Sequence, residues 1–205
     1  MDPDTRDWFR ARRTMLRTLR RRGYEDVDRS LDFETEADFV RECGSSPPSE
    51  DKMAVWLPVR GMLVYFCTAP KALGIAHIRA LAKVMRSKAM SSLVIVSVHG
   101  ITASARAQMG EVFKQAKVKA RAFLREELLV DIFEHVNMPR VRVLTAEEWD
   151  GLRKREVPVD GPKALPKILR TDPVARLLDL RPGQVIAATY PSINSGTHTE
   201  FLAVA

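Results

Sequence analysis

Met62-Leu63-Val64-Tyr65-Phe66-Cys67, then a helical stretch over 72–87 whose Ile75, Ile78, Ala82 and Met85 share one face, then Ser92-Leu93-Val94-Ile95-Val96-Ser97-Val98, is the part of the chain that decides its fold. The two flanks are apolar runs rich in strand formers, and the middle is amphipathic with helical period. Strand, crossover helix and strand make a βαβ unit, whose strands pair in parallel, whose connection is right-handed and whose sheet is covered by helices. The predicted class is α/β.

Downstream, Val118, Ala120 and Ala122 alternate with Lys117, Lys119 and Arg121, which predicts another strand with one wet, basic face. Leu124, Leu128, Leu129, Ile132 and Phe133 then recur at helical spacing in a run short enough to contain strand instead. Upstream, residues 6–22 place Trp8, Ala11, Met15, Leu16 and Leu19 on one helical face, with Arg10, Arg13, Arg17, Arg20 and Arg21 on or near the other, and Gly23 ends the helix. Packing by the Trp and Leu face is the preferred reading of this helix. Membrane-surface binding, or a nuclear-import signal at Arg20-Arg21-Arg22, are the alternatives. A second, acidic helix is expected over Glu34–Arg41, and the stretch 44–49 (Gly-Ser-Ser-Pro-Pro-Ser) then breaks regular structure as an exposed loop.

The texture changes at Pro139. Val141 and Val143 alternate against Arg142, Thr145-Ala146-Glu147-Glu148 looks like a capped helix start, and Pro158, Pro162 and Pro166 punctuate a loop. Asp172-Pro173 opens a helix, Asp as cap and Pro in the first turn, and Arg181-Pro182-Gly183 is a turn. Strands over Gln184–Tyr190 and Thr197–Val204 are joined by a hairpin loop at residues 191–196. The expected organisation is therefore two domains, residues 1–134 and 135–205.

With 205 residues, 45% of them apolar and 29% charged, the chain is neither disordered throughout, nor collagen-like, nor a disulfide scaffold. No apolar run, Met62–Cys67 and Leu93–Val96 included, approaches the roughly 20 residues a transmembrane helix needs. The polar, acidic start at Met1-Asp2-Pro3-Asp4 lacks a secretory pattern, and only Cys43 and Cys67 are present, so a reducing intracellular compartment is expected. His77, His99, His135 and His198 are scattered, and no metal site or cofactor is expected.

The net charge of +7 hides a segregation along the chain: +5 over residues 1–23, −8 over 24–51, +11 over 52–121, −3 over 122–160 and +2 over 161–205. Residues 52–121 hold twelve bases and the single acid Glu111. Such a stretch is either a solvated surface or one that faces a polyanion, where each phosphate neutralised releases counterions without reading sequence. Arginine outnumbers lysine 23 to 10, which suits phosphate and would equally follow from a GC-rich genome.

Leu165-Pro166-Lys167-Ile168, Asp172-Pro173-Val174-Ala175-Arg176, Leu180, Gly183-Gln184-Val185, Ser192 and Ser195-Gly196 fall in one order and spacing. This run resembles the carboxy-terminal part of the fifth-largest subunit shared by the eukaryotic nuclear RNA polymerases, which is itself similar to a small subunit of the archaeal RNA polymerase. A weaker, collinear likeness continues upstream through Trp8, Arg22-Gly23-Tyr24, Val64, Phe66-Cys67, residues 101–105, Phe123, His135 and Pro139. The small archaeal protein lacks the amino-terminal domain, so the chain looks like the eukaryotic form or a copy carried by a large DNA virus, toward which its divergence and its Ala and Arg bias point. The resemblance implies a non-catalytic subunit with no active site, metal or cofactor. Its amino-terminal α/β domain would be a jaw over downstream duplex DNA, and its small α+β domain would anchor on the largest subunit among the other polymerase subunits. It implies no membrane partner, and a location in the nucleus, or in a viral replication compartment or virion for a virus-encoded copy. A family loop of pattern Thr-Pro-Ser-Ala near the DNA carries over to Thr102, Ala103, Ser104 and Ala105. Its proline is replaced by Ala103, and Arg106 adds a candidate phosphate contact. The chain also has Val141 where the family usually has a histidine, and Ala187, Ala188, Tyr190 and Pro191 where it tends to be basic.

Pro166, Asp172, Pro173 and Gly183 have capping and turning roles that read as fold maintenance before partner contact. Cys67 reads as a small buried hydrophobe, and His135 as an ordinary hydrogen-bonding residue. Two other classes compete. A metal-dependent nuclease could use Glu50-Asp51-Lys52 as a Glu-x-Lys half-motif, although the upstream acids Asp32 and Asp38 lie in a segment that reads as helical. A free-standing DNA-binding regulator would need a recognition helix, and no helix-turn-helix pattern is present.

Overall fold

A computed structural model of the chain describes residues 2–27, 31–155, 164–192 and 196–205. It divides into two compact units, Met1–Val130 and Asp131–Ala205.

The first unit is built on the βαβ stretch. Strand β2 (Met62–Cys67) is followed by helix α4 (Ile75–Ser87), β3 (Ser92–Ser97), α5 (Ala103–Gln115) and β4 (Lys119–Leu124). β2 runs parallel to β3 and β3 parallel to β4, in the register Met62↔Ser92↔Lys119, and the short β1 (Val55–Leu57) adds antiparallel to β2 in the order β1-β2-β3-β4. One sheet face buries Leu63, Leu93 and Ile95 against Ile78, Ala82 and Met85 of α4 and Ala105 and Phe113 of α5. The apolar face expected for α4 is thus its packed face, and the helix begins three residues later than its periodicity suggested.

Helix α1 (Pro3–Arg21) packs by Trp8, Ala11, Met15, Leu16 and Leu19, all buried, and Trp8 meets Phe66 of β2 edge-on at 6.4 Å. Arg12 on this helix is buried as well. Its Nε donates to the Met53 carbonyl at 3.1 Å, Nη1 donates to the Leu31 carbonyl at 2.6 Å, and its guanidinium lies 4.6 Å over the Phe33 ring. Helix α2 (Glu36–Cys43) starts later than expected because Thr35 and Asp38 form a reciprocal capping box. Asp32 lies outside that helix and pairs with Arg20 at 2.8 Å. The one-turn α3 (Glu50–Met53) and β1 were not anticipated.

After β4 the expected helical run is two 3-10 turns, Arg125–Leu128 and Ile132–Glu134. The Asp131 carboxylate accepts the Phe133 N–H at 3.2 Å, starting a new turn where a continuous helix would need that N–H for itself.

The second unit holds β5 (Arg140–Val143), α6 (Ala146–Arg155), β6 (Lys167–Ile168), α7 (Pro173–Leu177), β7 (Val185–Ser192) and β8 (Gly196–Val204), with its sheet in the order β5-β7-β8-β6. Its core is Ala175, Leu180, Ile186 and Val204, with Val141, Ile168, Leu178 and Leu202 packed on it. Thr145 and Glu148 cap α6 reciprocally, as their spacing predicted. Pro191, Ser192 and Gly196, expected in the hairpin loop, are instead paired strand residues, with Ser192 opposite Gly196. Ser195, Pro158 and Pro162 lie outside the described residues.

Candidate nucleic-acid interface and assembly motif

The parallel strands end together at Cys67, Ser97 and Leu124, and the chain leaving β2 and β3 feeds α4 and α5. These two helix starts are tied side by side. The Leu73 N–H donates to the Gly100 carbonyl at 2.9 Å, and the Thr102 N–H donates to the Leu73 carbonyl at 3.0 Å. Gly100 sits at φ +69°, a left-handed conformation that favours glycine.

Thr102-Ala103-Ser104-Ala105, expected as a loop, is the capped start of α5. The Thr102 hydroxyl accepts the Ala105 N–H at 3.3 Å and lies 3.4 Å from the Ser104 hydroxyl. Ala103 occupies the first helical position, where the missing proline would be tolerated, and helix forms without it. Ala103, Ser104 and the Arg106 side chain are exposed, and a shallow depression here is lined by Ile101, Ala103, Arg106 and Ala107.

All twelve bases of residues 52–121 have exposed side chains. They lie on α3 (Lys52), before and on α4 (Lys71, Arg79, Lys83, Arg86), on α5 (Arg106, Lys114), on β4 (Lys119, Arg121) and in the connections (Arg60, Lys88, Lys117). A groove between α4 and α5 is rimmed by Arg79, Lys83 and Arg86, with Ala82 and Val112 in its lining. Glu111, the single acid of the segment, is bonded to Gln115 at 3.0 Å.

Glu50, the acid of the Glu-x-Lys half-motif, is otherwise engaged. One of its oxygens accepts the Tyr65 hydroxyl, and the other accepts the Thr68 N–H at 2.6 Å and the Thr68 hydroxyl at 3.0 Å. Burial, then the Glu50 hydrogen bond, push the Tyr65 phenol well above its ordinary pKa. Burial likewise raises the Cys43 and Cys67 thiols. Among the described residues no three His, Cys, Asp or Glu side chains converge as metal donors.

In the second unit Pro166, Ile168, Gly183 and Gln184 of the quoted motif gather around the end of β8, whereas Ser192 and Gly196 pair at its start. Pro166 accepts the Ala203 N–H at 2.9 Å, and Ile168 accepts that of Ala205 at 3.0 Å; Leu165 is half-buried beside them. From the other side, Gly183 donates to Val204 at 3.0 Å and Gln184 accepts the Val204 N–H at 2.9 Å. Gly183 and Gly196 have φ of +84° and +73°. Gln184 Oε1 also accepts the Arg181 N–H at 2.6 Å, closing the turn before Val185. Asp172 accepts the Val174 N–H at 2.8 Å and caps α7, with Pro173 in the first turn, Ala175 in the core and Arg176 half-buried. Pro139 immediately precedes β5, and His135 Nδ1 accepts the Asn137 N–H at 3.2 Å. Two of the departures from the resembled family are cross-strand partners, since Val141 on β5 lies opposite Ala188 on β7.

The sequence matches two family models, described as RNA polymerase Rpb5, N-terminal domain, over residues 2–85, and RNA polymerase Rpb5, C-terminal domain, over residues 130–204. These define the class as a subunit of a multisubunit, DNA-directed RNA polymerase. A Caenorhabditis briggsae protein named DNA-directed RNA polymerases I, II, and III subunit RPABC1 is 33% identical over 202 residues, covering 94% of this chain and 93% of its own. The Dictyostelium discoideum protein of the same name is 30% identical, covering 70% and 72%. An Arabidopsis thaliana protein named DNA-directed RNA polymerases IV and V subunit 5B is 28% identical, covering 96% and 89%. The chain belongs to the Rpb5 family.

Proposed function

We propose that this chain is a non-catalytic subunit that contacts downstream duplex DNA through its amino-terminal unit and anchors on the largest polymerase subunit through its carboxy-terminal unit. Its place of action is the nucleus, or the viral replication compartment or virion for a virus-encoded copy. The observation that supports the DNA contact most strongly is the exposure of all twelve bases of residues 52–121 against one acid, itself bonded to a neighbour. Exposed cations of this density favour phosphate and cannot discriminate bases, so the contact is independent of sequence. Thr102, Ser104 and Arg106 present hydroxyls and a guanidinium at the capped start of α5, beside the start of α4, where backbone N–H groups add partial positive charge. Anchoring is supported by family membership and by a carboxy-terminal motif that closes a small, separate core.

The test is binding of the full chain to labelled duplex DNA between about 50 and 200 mM salt. Affinity falls steeply with salt and is alike for unrelated sequences. An isotherm flat across that range, or a strong preference for one duplex, would contradict the DNA contact.

A further inference from the structure

From Arg6 to Arg21, every residue of α1 outside one strip is buried except the half-buried Asp7, and the strip itself consists of Arg6, Arg10, Arg13, Arg17, Arg20 and Arg21. At about 100° per residue these six positions fall within an arc of roughly 100°. From Arg6 onward, the helix packed into the core by Trp8, Met15, Leu16 and Leu19 thus has no exposed apolar side chain, and its exposed residues are Arg6, Arg10, Arg13 and Arg21, with Arg17 and Arg20 half-buried between them. Arg20 is engaged, donating to the Val27 carbonyl at 2.9 Å and pairing with Asp32 at 2.8 Å. The acids at the start of the helix are turned to other work: Asp4 and Asp7 face Arg125, and Asp2 accepts from Ser46 at 3.1 Å. Arg6, Arg10 and Arg13 are exposed, and their guanidinium groups have no partner among the described residues.

We propose that the exposed arginine face of α1, led by Arg6, Arg10 and Arg13, is a second phosphate-contacting surface of this chain and that its occupant is the backbone of duplex DNA. The inference rests on the proposed DNA contact and extends it to residues outside 52–121. Two features favour a nucleic-acid backbone over an acidic protein. Protein interfaces concentrate their affinity in buried aromatic and apolar anchors, which this strip lacks. The forked guanidinium also suits phosphate oxygens, and Arg6, Arg10 and Arg13 rise together about 10 Å along the helix. That length matches roughly three phosphates of one strand at about 3.4 Å each.

The experiment compares the full chain, the triple variant Arg6→Gln, Arg10→Gln, Arg13→Gln, and a control triple variant Lys83→Gln, Arg86→Gln, Arg106→Gln, on one duplex across a salt series. Each phosphate contact adds about 0.9 to the slope of log affinity against log salt, so losing three on α1 should flatten the slope by between about 2 and 3. The control variant should flatten it separately, which reads the contact of residues 52–121 alone. An unchanged slope for the α1 variant, with the control flattened, would overturn this inference and leave the proposed function standing. Unchanged slopes for both would contradict the two together. Unchanged DNA binding with lost binding to poly-glutamate would assign the face to an acidic protein and overturn the inference. All six substituted positions are exposed, so the substitutions leave the core intact.

Discussion

Glu50 and Asp172 show how single carboxylates divide between readings that sequence alone leaves open. Asp172 caps α7 as its Asp-Pro context predicted, and replacing it frees the Val174 N–H. Asp172→Ala should destabilise the protein by about 1 kcal/mol, within roughly 0.5–2, seen as a lower urea midpoint at unchanged slope. An unchanged midpoint would contradict the capping role. Glu50 instead holds Tyr65 and Thr68, and nothing in Glu50-Asp51-Lys52 announces that partnership, because the partners lie 15 and 18 residues away on β2 and just after it. The Tyr65 phenol is raised in the folded state by burial first and Glu50 second. Its folded value therefore exceeds the unfolded value of about 10. The stability it contributes is complete below that pH and is lost as pH rises beyond it, because the unfolded chain then releases its proton first. Urea midpoints measured between pH 9 and 11, about the unfolded tyrosine value, should fall more for the native protein than for Tyr65→Phe. Equal falls would contradict it.

Among the elements, β2 and β3 were legible as short continuous apolar runs rich in strand formers, and α4 and the packed face of α1 because their apolar residues follow a period of 3.6. β1 and β6, with three and two residues, carry no period that could be read. The run after β4 has helical spacing yet turns twice as 3-10, since side-chain capping at Asp131 overrides spacing. The start of α5 offers the sharpest test at this scale. Thr102 has φ −58° and ψ 152°, a conformation suited to a residue before proline, and no backbone hydrogen bond of the Ala103 N–H is formed. Ala103→Pro should thus raise stability by about 0.4–1 kcal/mol, chiefly by restricting the unfolded chain. A lower melting temperature for this variant would show that the first turn of α5 needs freedom that proline denies.

Over the whole molecule, the charge segregation was plain in the sequence, but the placement of its cations was not. Composition could not tell that all twelve bases of residues 52–121 are exposed, or that Arg12, one of eight arginines in the first 23 residues, is buried while its neighbours form a solvent strip. The carboxy-terminal motif was readable as an ordered set of residues. The convergence of Pro166, Ile168, Gly183 and Gln184 on residues 203–205 depends on long-range strand pairing that no local pattern encodes. The proposed division of labour predicts that Asp172→Ala weakens capture by the largest subunit and leaves DNA affinity unchanged. Whether the chain works as a polymerase subunit is measured by isolating the tagged protein from the cells or virus that encode it and identifying the co-purifying chains by mass spectrometry. The largest polymerase subunit should be recovered in stoichiometric amount, and recovery of the chain as a free monomer without polymerase subunits would contradict its role as a subunit.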